Sequence, residues 1–478
     1  MAVDKAMIPS DIQMMDDETP DLELDIEAVT EDAIEIQMDD GSIEVDFGDA
    51  SLSLDLGAGS HDENIAEIID EGDLEELASD LVGAFIADRG SRKEWAMSYI
   101  KGLDLLGMKI EERSTPWQGA SGVYHPMMTE AVVRFQAQAM GELMPAAGPA
   151  RSKILGKITR EKFEQSQRVE SELNYLITEE MPDYRDEMEQ MLFKLPLAGS
   201  AFKKIYYDPL LERPVSLFVP AEDFVVSYGA SNLRTCPRFT HVMKKTAEEI
   251  KALQVNGFYR DIELPEPERD ITDIEEKYAQ MEGSEPVYDD DPRHTLLEMH
   301  VEITMPEPFD DPDGLARPYV VTIDKSSRII LSIRRNWYED DAKKKKRMHF
   351  VHYPYLPGMG FYGTGLIHMI GGLTKSATSI MRQLIDAGTL SNLPAGLKAR
   401  GLRIKGDNSP LMPGEFRDVD VPGGAIKDSI TFLPYKEPSQ VLYTLLNNVV
   451  EEGRRIGSVA DIQVGDMNAQ APVGTTLA

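Results

Sequence analysis

Leu366, Ile370, Leu373, Ala377, Ile380 and Leu384 follow one another at alternating steps of four and three, the spacing of one apolar face on an α-helix. The spacing predicts a helix over 364–387, with Gly388 placed to end it. A second apolar face, Leu442, Leu445, Leu446, Val449 and Ile456, predicts a helix over 439–456. Ser439 caps it after Pro438, and Gly457 closes it. At 1.5 Å per residue these are rods of about 36 and 27 Å. The chain between them is rich in Gly and Pro, and short strands are expected at 402–404, 418–421 and 430–433. The order is therefore rod, small β module, rod.

Upstream the pattern is mixed. Ile65, Ile68, Ile69, Leu74 and Leu77 recur at helical spacing, as do residues around Trp95, Tyr99, Ile100, Leu103 and Leu105. A turn cluster spans 114–122, and His125-Pro126 then opens a helix reading Met128, Val132, Phe135, Ala139 and Leu143, ended by Pro145 and Gly148. Phe163, Val169, Leu173, Leu176 and Ile177 form one apolar stripe of a helix pair, and Met188, Met191, Leu192 and Leu195 form the other. Strands are expected at 201–207 and 215–219, and Thr246 caps a short helix over 247–253. After a charged linker near 264–292, the segments 296–303, 319–323, 329–333 and 348–353 read as a four-strand meander. The fold class is α+β.

Charge is segregated along the chain. The first 80 residues hold 27 of the 84 acidic side chains but only Lys5 of the 49 basic ones, so they carry −26 of the net −35. Acids alternate there with single apolar residues, as in Asp21-Leu22-Glu23-Leu24-Asp25, and aromatics are few. Such a segment buries too little apolar surface to offset its chain entropy, so residues 1–62 are expected to be a disordered acidic arm. The balance also excludes a protein that grips DNA or an anionic membrane with its whole surface. With 42% hydrophobic residues the remainder can fill real cores. Cys236, the single cysteine, closes no internal disulfide and is expected as a small buried apolar residue. The sequence has neither a signal-peptide pattern nor an 18-residue apolar run.

No catalytic, cofactor-binding or metal constellation emerges. Gly358-Met359-Gly360-Phe361-Tyr362-Gly363 is a literal G-x-G-x-x-G with Asp386 beyond it, which raises the alternative of a nucleotide-binding enzyme. Pro354 and Pro357, however, break the preceding strand, and no parallel βαβ unit follows. A hinge is the simpler role. Gly371 to Ser376 lacks the glycine of a P-loop before Lys375, and the eight histidines are scattered. The basic run Lys343 to Arg347 is expected to be a solvated hairpin tip. Lys398, Arg400, Arg403 and Lys405 gather as a local positive patch in the module, suited to partner docking. A non-ring scaffolding or interaction protein is a further alternative.

The order of pieces resembles the portal proteins, or head-to-tail connectors, of tailed double-stranded DNA phages. The matching pieces are the turn Pro116-Trp117-Gln118-Gly119-Ala120-Ser121 before a helix, the α+β middle, the segment Phe361-Tyr362-Gly363-Thr364-Gly365 leading into a long helix, and a second long helix ending near Gly453-Arg454-Arg455-Ile456-Gly457. The resemblance implies a wing over 63–362, stem helices over 363–389 and 437–457, a clip over 390–436, and a tunnel-loop region over 458–478. Stem packing would fall to Leu366, Ile370, Leu373, Ile380, Leu384, Leu442, Leu446 and Val449. Clip contacts would fall to the four basic residues, and Asp461, Gln463, Asp466, Asn468 and Gln470 would approach the tunnel.

The resemblance further implies a ring of twelve copies at a capsid vertex of the virion, assembled in the host cytoplasm. DNA would pass through it without sequence-specific binding during packaging and ejection. The implied partners are the terminase large subunit, tail adaptor or head-completion proteins, and capsid and scaffolding proteins, with no cofactor and no membrane. An acidic ring suits DNA sliding, because tight phosphate contacts would brake it. The family continues into further wing helices and a crown, so the chain is expected to be truncated.

Overall fold

The computed structural model describes residues 61–465, apart from 109–110, 209–210, 269–270, 285–291, 307–308, 310, 312–313, 359, 393–395, 399–402, 405–418, 421–429 and 433–434, and before them residues 34–37 and 43–46. In the acidic arm, β1 (Ile34–Gln37) and β2 (Ile43–Asp46) pair antiparallel, with Ile34 opposite Asp46. The alternation that starves a core also has the period of two that a strand requires, which the expectation of a disordered arm overlooked. Apart from His61 and Asp62, the rest of that arm lies outside the described residues.

From His61 the elements are α1 (Glu71–Ser91), α2 (Lys93–Leu103), α3 (Met127–Leu143), α4 (Arg160–Tyr175), α5 (Tyr184–Ala198), β3 (Ser200–Asp208), β4 (Arg213–Pro220), β5 (Phe224–Val226), β6 (Arg238–Thr246), α6 (Ala247–Val255) and α7 (Asp273–Glu282). There follow β7 (Arg293–Ile303), β8 (Arg317–Asp324), β9 (Ile330–Arg335), β10 (Phe350–Pro354), α8 (Leu366–Asn392), β11 (Gly396–Lys398), β12 (Arg403–Ile404), β13 (Val419–Asp420), β14 (Ile430–Phe432) and α9 (Gln440–Gly465). Helix and antiparallel sheet are mixed throughout, as α+β requires.

Strands β5 to β9 form one five-stranded antiparallel sheet in sequence order. Helix α1 covers one face: Leu74, Ala78, Leu81, Val82 and Phe85 pack on Leu297, Met299, Val301, Val321 and Ile323. Those five helix positions follow the 3.6-residue period and those strand positions the period of two, so each element buries one stripe. The expected fourth strand of the meander leaves this sheet: β10 pairs instead with β3, in a sheet ordered β10-β3-β4. The edge of β9 is already closed. Asn64 donates through Nδ2 to Leu331 O (3.1 Å) and accepts from Ile333 N–H (2.9 Å), while Arg260 N–H donates to Leu331 O (2.9 Å). Capping an open edge in this way leaves no ladder for another strand.

Two other expectations change. The charged linker contains α7, held at its start by a capping box between Thr272 and Glu275; Ile274 and Tyr278 tie it to the core. The basic run is not fully solvated. Lys346 Nζ donates to Cys236 O (2.5 Å), Lys344 pairs with Asp311 (3.1 Å), and Arg347 lies over Tyr338. Cys236 is buried, its thiol donating to Arg238 O (2.9 Å). The stripe on α4 buries nothing within the chain, since Phe163, Val169 and Leu173 are all exposed.

Both sheets meet α2, α3, α5 and the first half of α8 in a core that includes Tyr99, Met128, Val132, Phe202, Phe224, Phe239, Phe350 and Ile370. Each such side chain contributes about 1.5–3 kcal/mol by leaving water. This core holds the N-terminal end of α8 rigidly.

Candidate functional site

The candidate site is the pair of long helices with the module they carry. Helix α8 is apolar on the face that enters the core, where Leu366, Ile370 and Ile380 are buried; Leu373 and Leu384 are half-buried. Beyond Ile380 none of its residues is buried, so its second half leaves the core. Helix α9 packs along α8. Its half-buried stripe contains Leu442, Leu446, Val449 and Ile456, while Val441, Leu445, Asn448 and Glu452 on the other side are exposed. The structure thus brings the eight sequence-predicted packing residues onto the two helices and their covered faces.

Both helices outrun their expected ends. Neither Gly388 nor Gly457 has the positive φ of a helix cap. A Cβ on Gly388 would lie 3.7 Å from Pro438 Cγ, and one on Gly457 would lie 3.5 Å from Ala131 Cβ. At Gly453 a Cβ would fall 2.1 Å from Met127 Sδ. Only Gly453 lets a neighbouring side chain come closer than a Cβ would allow, while Gly388 and Gly457 have room for one; all three keep helical backbone, and the helices run on, to about 40 and 39 Å at 1.5 Å per residue. Asp461 and Gln463 therefore lie on α9 rather than in a loop. Asp466, Asn468 and Gln470 lie outside the described residues.

A polar stripe locks α8 to the turn cluster. His125 N–H donates to Thr378 Oγ1 (3.1 Å), and Ser121 N–H donates to Asp386 Oδ1 (2.8 Å). Arg382 donates to Val123 O (2.8 Å), Gly122 O (3.2 Å) and Glu111 Oε2 (2.7 Å), and its guanidinium stacks 4.4 Å above Tyr124. Burial pushes the Glu111 carboxyl up, but the hydrogen bonds from Tyr124 and Arg382 outweigh it and leave the group below its usual range. Burial lowers the His125 imidazole, with Arg454 adding to the effect, which suits Nδ1 as the acceptor for Met127 N–H at the start of α3 (3.2 Å). Arg454 of α9 in turn pairs with Glu130 of α3 (3.0 Å). Sequence reading missed this clamp. The signal was present: Thr374, Thr378, Arg382 and Asp386 recur every four residues on one side of α8.

The glycine-rich loop before α8 is a packing joint. Gly363 N–H donates to Ser200 Oγ (2.8 Å), Thr364 N–H to Leu356 O (2.8 Å), and Gly365 N–H to His368 Nδ1 (3.3 Å). Phe361 stacks on Phe202 and His352, and Tyr362 donates to Phe224 O (3.0 Å). Of the loop's own amides that of Gly363 is thus engaged, and the strand before the loop is antiparallel to its neighbour, not part of a parallel βαβ unit. Among the described residues no group of His, Cys, Asp and Glu side chains is placed to hold a metal ion.

In the module, β11 pairs with β14 and β12 with β13. Lys398 and Arg403 fall on different strand pairs, Lys398 opposite Ile430 and Arg403 opposite Asp420. Arg400 and Lys405 lie outside the described residues. Among the described residues no helix is long and apolar enough to cross a membrane.

No curated protein matches this sequence. The family model of the phage SU10 portal protein matches residues 150–452, well over half of the chain. That stretch holds α4 and α5, both sheets, α8, the module and the first half of α9, and by this match the chain belongs to the phage SU10 portal protein family.

Proposed function

We propose that this chain is the subunit of a closed ring at a capsid vertex, through which double-stranded DNA is packaged and ejected. In this reading α8 and α9 are the stem, the module over 390–436 is the clip, and residues 63–362 form the wing. The clip would be the docking platform for the terminase large subunit and later for tail adaptor proteins, with Lys398, Arg400, Arg403 and Lys405 as contacts. Residues 458–478 would approach the DNA, and capsid and scaffolding proteins would meet the wing.

The observation that carries the proposal is the helix pair itself. A family member with two antiparallel rods, rooted in a core at one end and joined by a small β module at the other, presents repeated long faces suited to side-by-side packing. A closed ring needs such head-to-tail interfaces between unlike faces. The net charge of −35 supports passage of DNA without tight phosphate contacts.

Negative-stain electron microscopy with a solution mass tests this. Rings with a central hole and a narrow stem are expected, of twelve copies by the family resemblance. A uniform monomer or dimer overturns the ring and favours a scaffolding or interaction protein. Leu373→Asp should reduce assembly, and normal rings from that variant refute the stem assignment.

A further inference from the structure

We propose that the cleft between the start of α2, the 226–231 turn and the glycine-rich loop is a binding site for a single carboxylate group, received by the free edge of Arg92. The site lies within one chain and does not depend on the ring.

The cleft has a volume of about 590 Å³. Arg92 and Trp95 form one wall, Ser227 to Ser231 another, and Gly358, Gly360 and Tyr362 the third. Among the described residues Arg92 is the one charged side chain that lines it. A Cβ on Gly229 or on Gly360 would meet nothing within 4 Å, so both loops border open space.

The Arg92 guanidinium is only half used. Its Nη1 donates to Phe224 O (2.8 Å), and the group packs against the rings of Trp95 (4.3 Å) and Tyr362 (4.1 Å). Nε and Nη2 are buried and have no hydrogen-bond partner among the described residues. These two nitrogens make one side of the planar fork, the geometry that takes both oxygens of a carboxylate at once. The same edge does so elsewhere in this chain: Arg238 Nε and Nη2 donate to the two oxygens of Asp88 at 2.8 and 3.0 Å. The indole Nε1–H of Trp95, on the same wall, is likewise buried and unpaired. Donors left without partners away from water are costly, and a carboxylate would satisfy them. An oxygen reaches the fork only if this wall gives slightly, and the open space at Gly229 and Gly360 leaves the loops room to do so.

The balance of charge selects the ligand. One cation with no carboxylate on the walls matches a monoanion, whereas a phosphate dianion would leave a charge unpaired in a water-poor site. Arg92 also borders a second cleft, of about 610 Å³, but there Glu222, Asp223, Asp273 and Glu275 are matched by as many cations besides Arg92. That cleft is balanced without a ligand, and an anion in it would meet four carboxylates. In the first cleft the rings of Trp95 and exposed Tyr228 add apolar surface for the body that carries the carboxylate.

The test uses the full chain at pH 8 and constant ionic strength, and follows tryptophan emission and melting temperature during titration. Acetate presents a free carboxylate, the peptide acetyl-Gly-Glu-Gly-amide presents a protein side chain, and phosphate and chloride are comparators. We expect saturable binding of the carboxylates, weaker binding of phosphate and no effect of chloride. A peptide that binds at least tenfold more tightly than acetate makes an acidic partner segment the source; any smaller preference makes it a free acid. Arg92→Lys keeps the charge but loses the fork, and should weaken binding about tenfold. Because Arg92 also supports Phe224 O, Ser231→Asp is the second variant. It sets a carboxylate on exposed chain at the cleft rim and should weaken binding about tenfold without lowering the melting temperature. Wild-type affinity in either folded variant, phosphate as tight as the carboxylates, or no saturable binding overturns the site, and each of these results leaves the ring reading standing.

Discussion

Replacing Gly363 with alanine separates two meanings of the glycine-rich loop. A Cβ built on Gly363 would lie 2.3 Å from Gly199 O and 2.9 Å from Leu356 O. An ordinary contact there needs more than 3 Å, and both obstacles are main chain, which cannot swing aside as a side chain does. The turn between α5 and β3 or the loop itself must shift, at a cost of about 1–3 kcal/mol for overpacking. The shift also strains the bonds from Gly363 N–H to Ser200 Oγ (2.8 Å) and from Tyr355 N–H to Gly199 O (2.9 Å), each worth about 0.5–1.5 kcal/mol. Together the loss is about 3 kcal/mol. Gly360 is the control, because a Cβ there meets nothing within 4 Å and its φ is not positive; Gly360→Ala should stay within about 0.5 kcal/mol of wild type. At about 2 °C per kcal/mol for a large domain, the melting temperature of Gly363→Ala should fall about 6 °C, and that of Gly360→Ala should hardly move. In a nucleotide loop the middle glycine would also be critical, for binding, because there the backbone approaches the pyrophosphate. Equal melting of the two variants, or nucleotide binding lost only in Gly360→Ala, refutes the packing joint.

Three more outcomes follow from the structure. Arg382→Ala should cost about 1–2 kcal/mol by stripping the charge-assisted bond from half-exposed Glu111 and the bonds to Gly122 O and Val123 O, which water can replace in part, and Arg382→Lys should recover little of it; thermal melting and protease cleavage within 113–124 report the loss. Burial lowers His241 to about 3, with Lys204 adding to it, so its share of stability is complete above the unfolded value of about 6.5 and drains as pH falls below it. His241→Phe should therefore flatten the acid side of the stability curve by about 1.4 kcal/mol per pH unit between pH 6 and 4, measured by urea unfolding. Asp223 runs the opposite way: burial, then the charge of Glu222, raises it to about 7. The folded chain holds that proton longer than the unfolded one, so stability is lost as pH rises through this window. Asp223→Asn should melt higher than wild type at pH 8 and show no such gain at pH 4.

What the sequence disclosed and what it withheld divide along the range of the interactions. The faces of α8, α9 and α3 were legible because each is a local period, written within a few turns of one helix, whereas the helical stripe read from Ile65 to Leu77 runs across two elements: Ile65, Ile68 and Ile69 precede α1, which starts at Glu71 and buries Leu74, Ala78, Leu81, Val82 and Phe85. The capping box at Thr246 was half legible for the same reason: its Thr cap was read, while its partner Glu249 lies three residues away. Strand β10 was recognisable as a strand, yet its place in the second sheet was not. That place depends on Asn64 and Arg260 closing β9 from distant parts of the chain. Helix α7 was hidden because Pro and acidic residues around it looked like a linker, while its hold on the core comes through Tyr278, bonded to Tyr99 (2.9 Å) and Glu222 (2.8 Å).

The glycines show the same division most sharply. Gly388, Gly453 and Gly457 carry no local mark that distinguishes a helix stop from a close approach. At Gly453 the deciding group is Met127, which lies far away in sequence. A glycine that ends a helix takes a positive φ, whereas a glycine that admits a neighbour keeps helical backbone and loses only its side chain. The second kind fits a pair of rods that must stay continuous to their tips. Gly453 gives up about 1 kcal/mol of helix propensity in return for close packing of α9 on Met127 of α3. Thr378, Arg382 and Asp386 then fix α8 against the turn cluster. Continuity of the rods and their attachment to the core thus come from residues that sequence periodicity alone assigns to endings or to solvent.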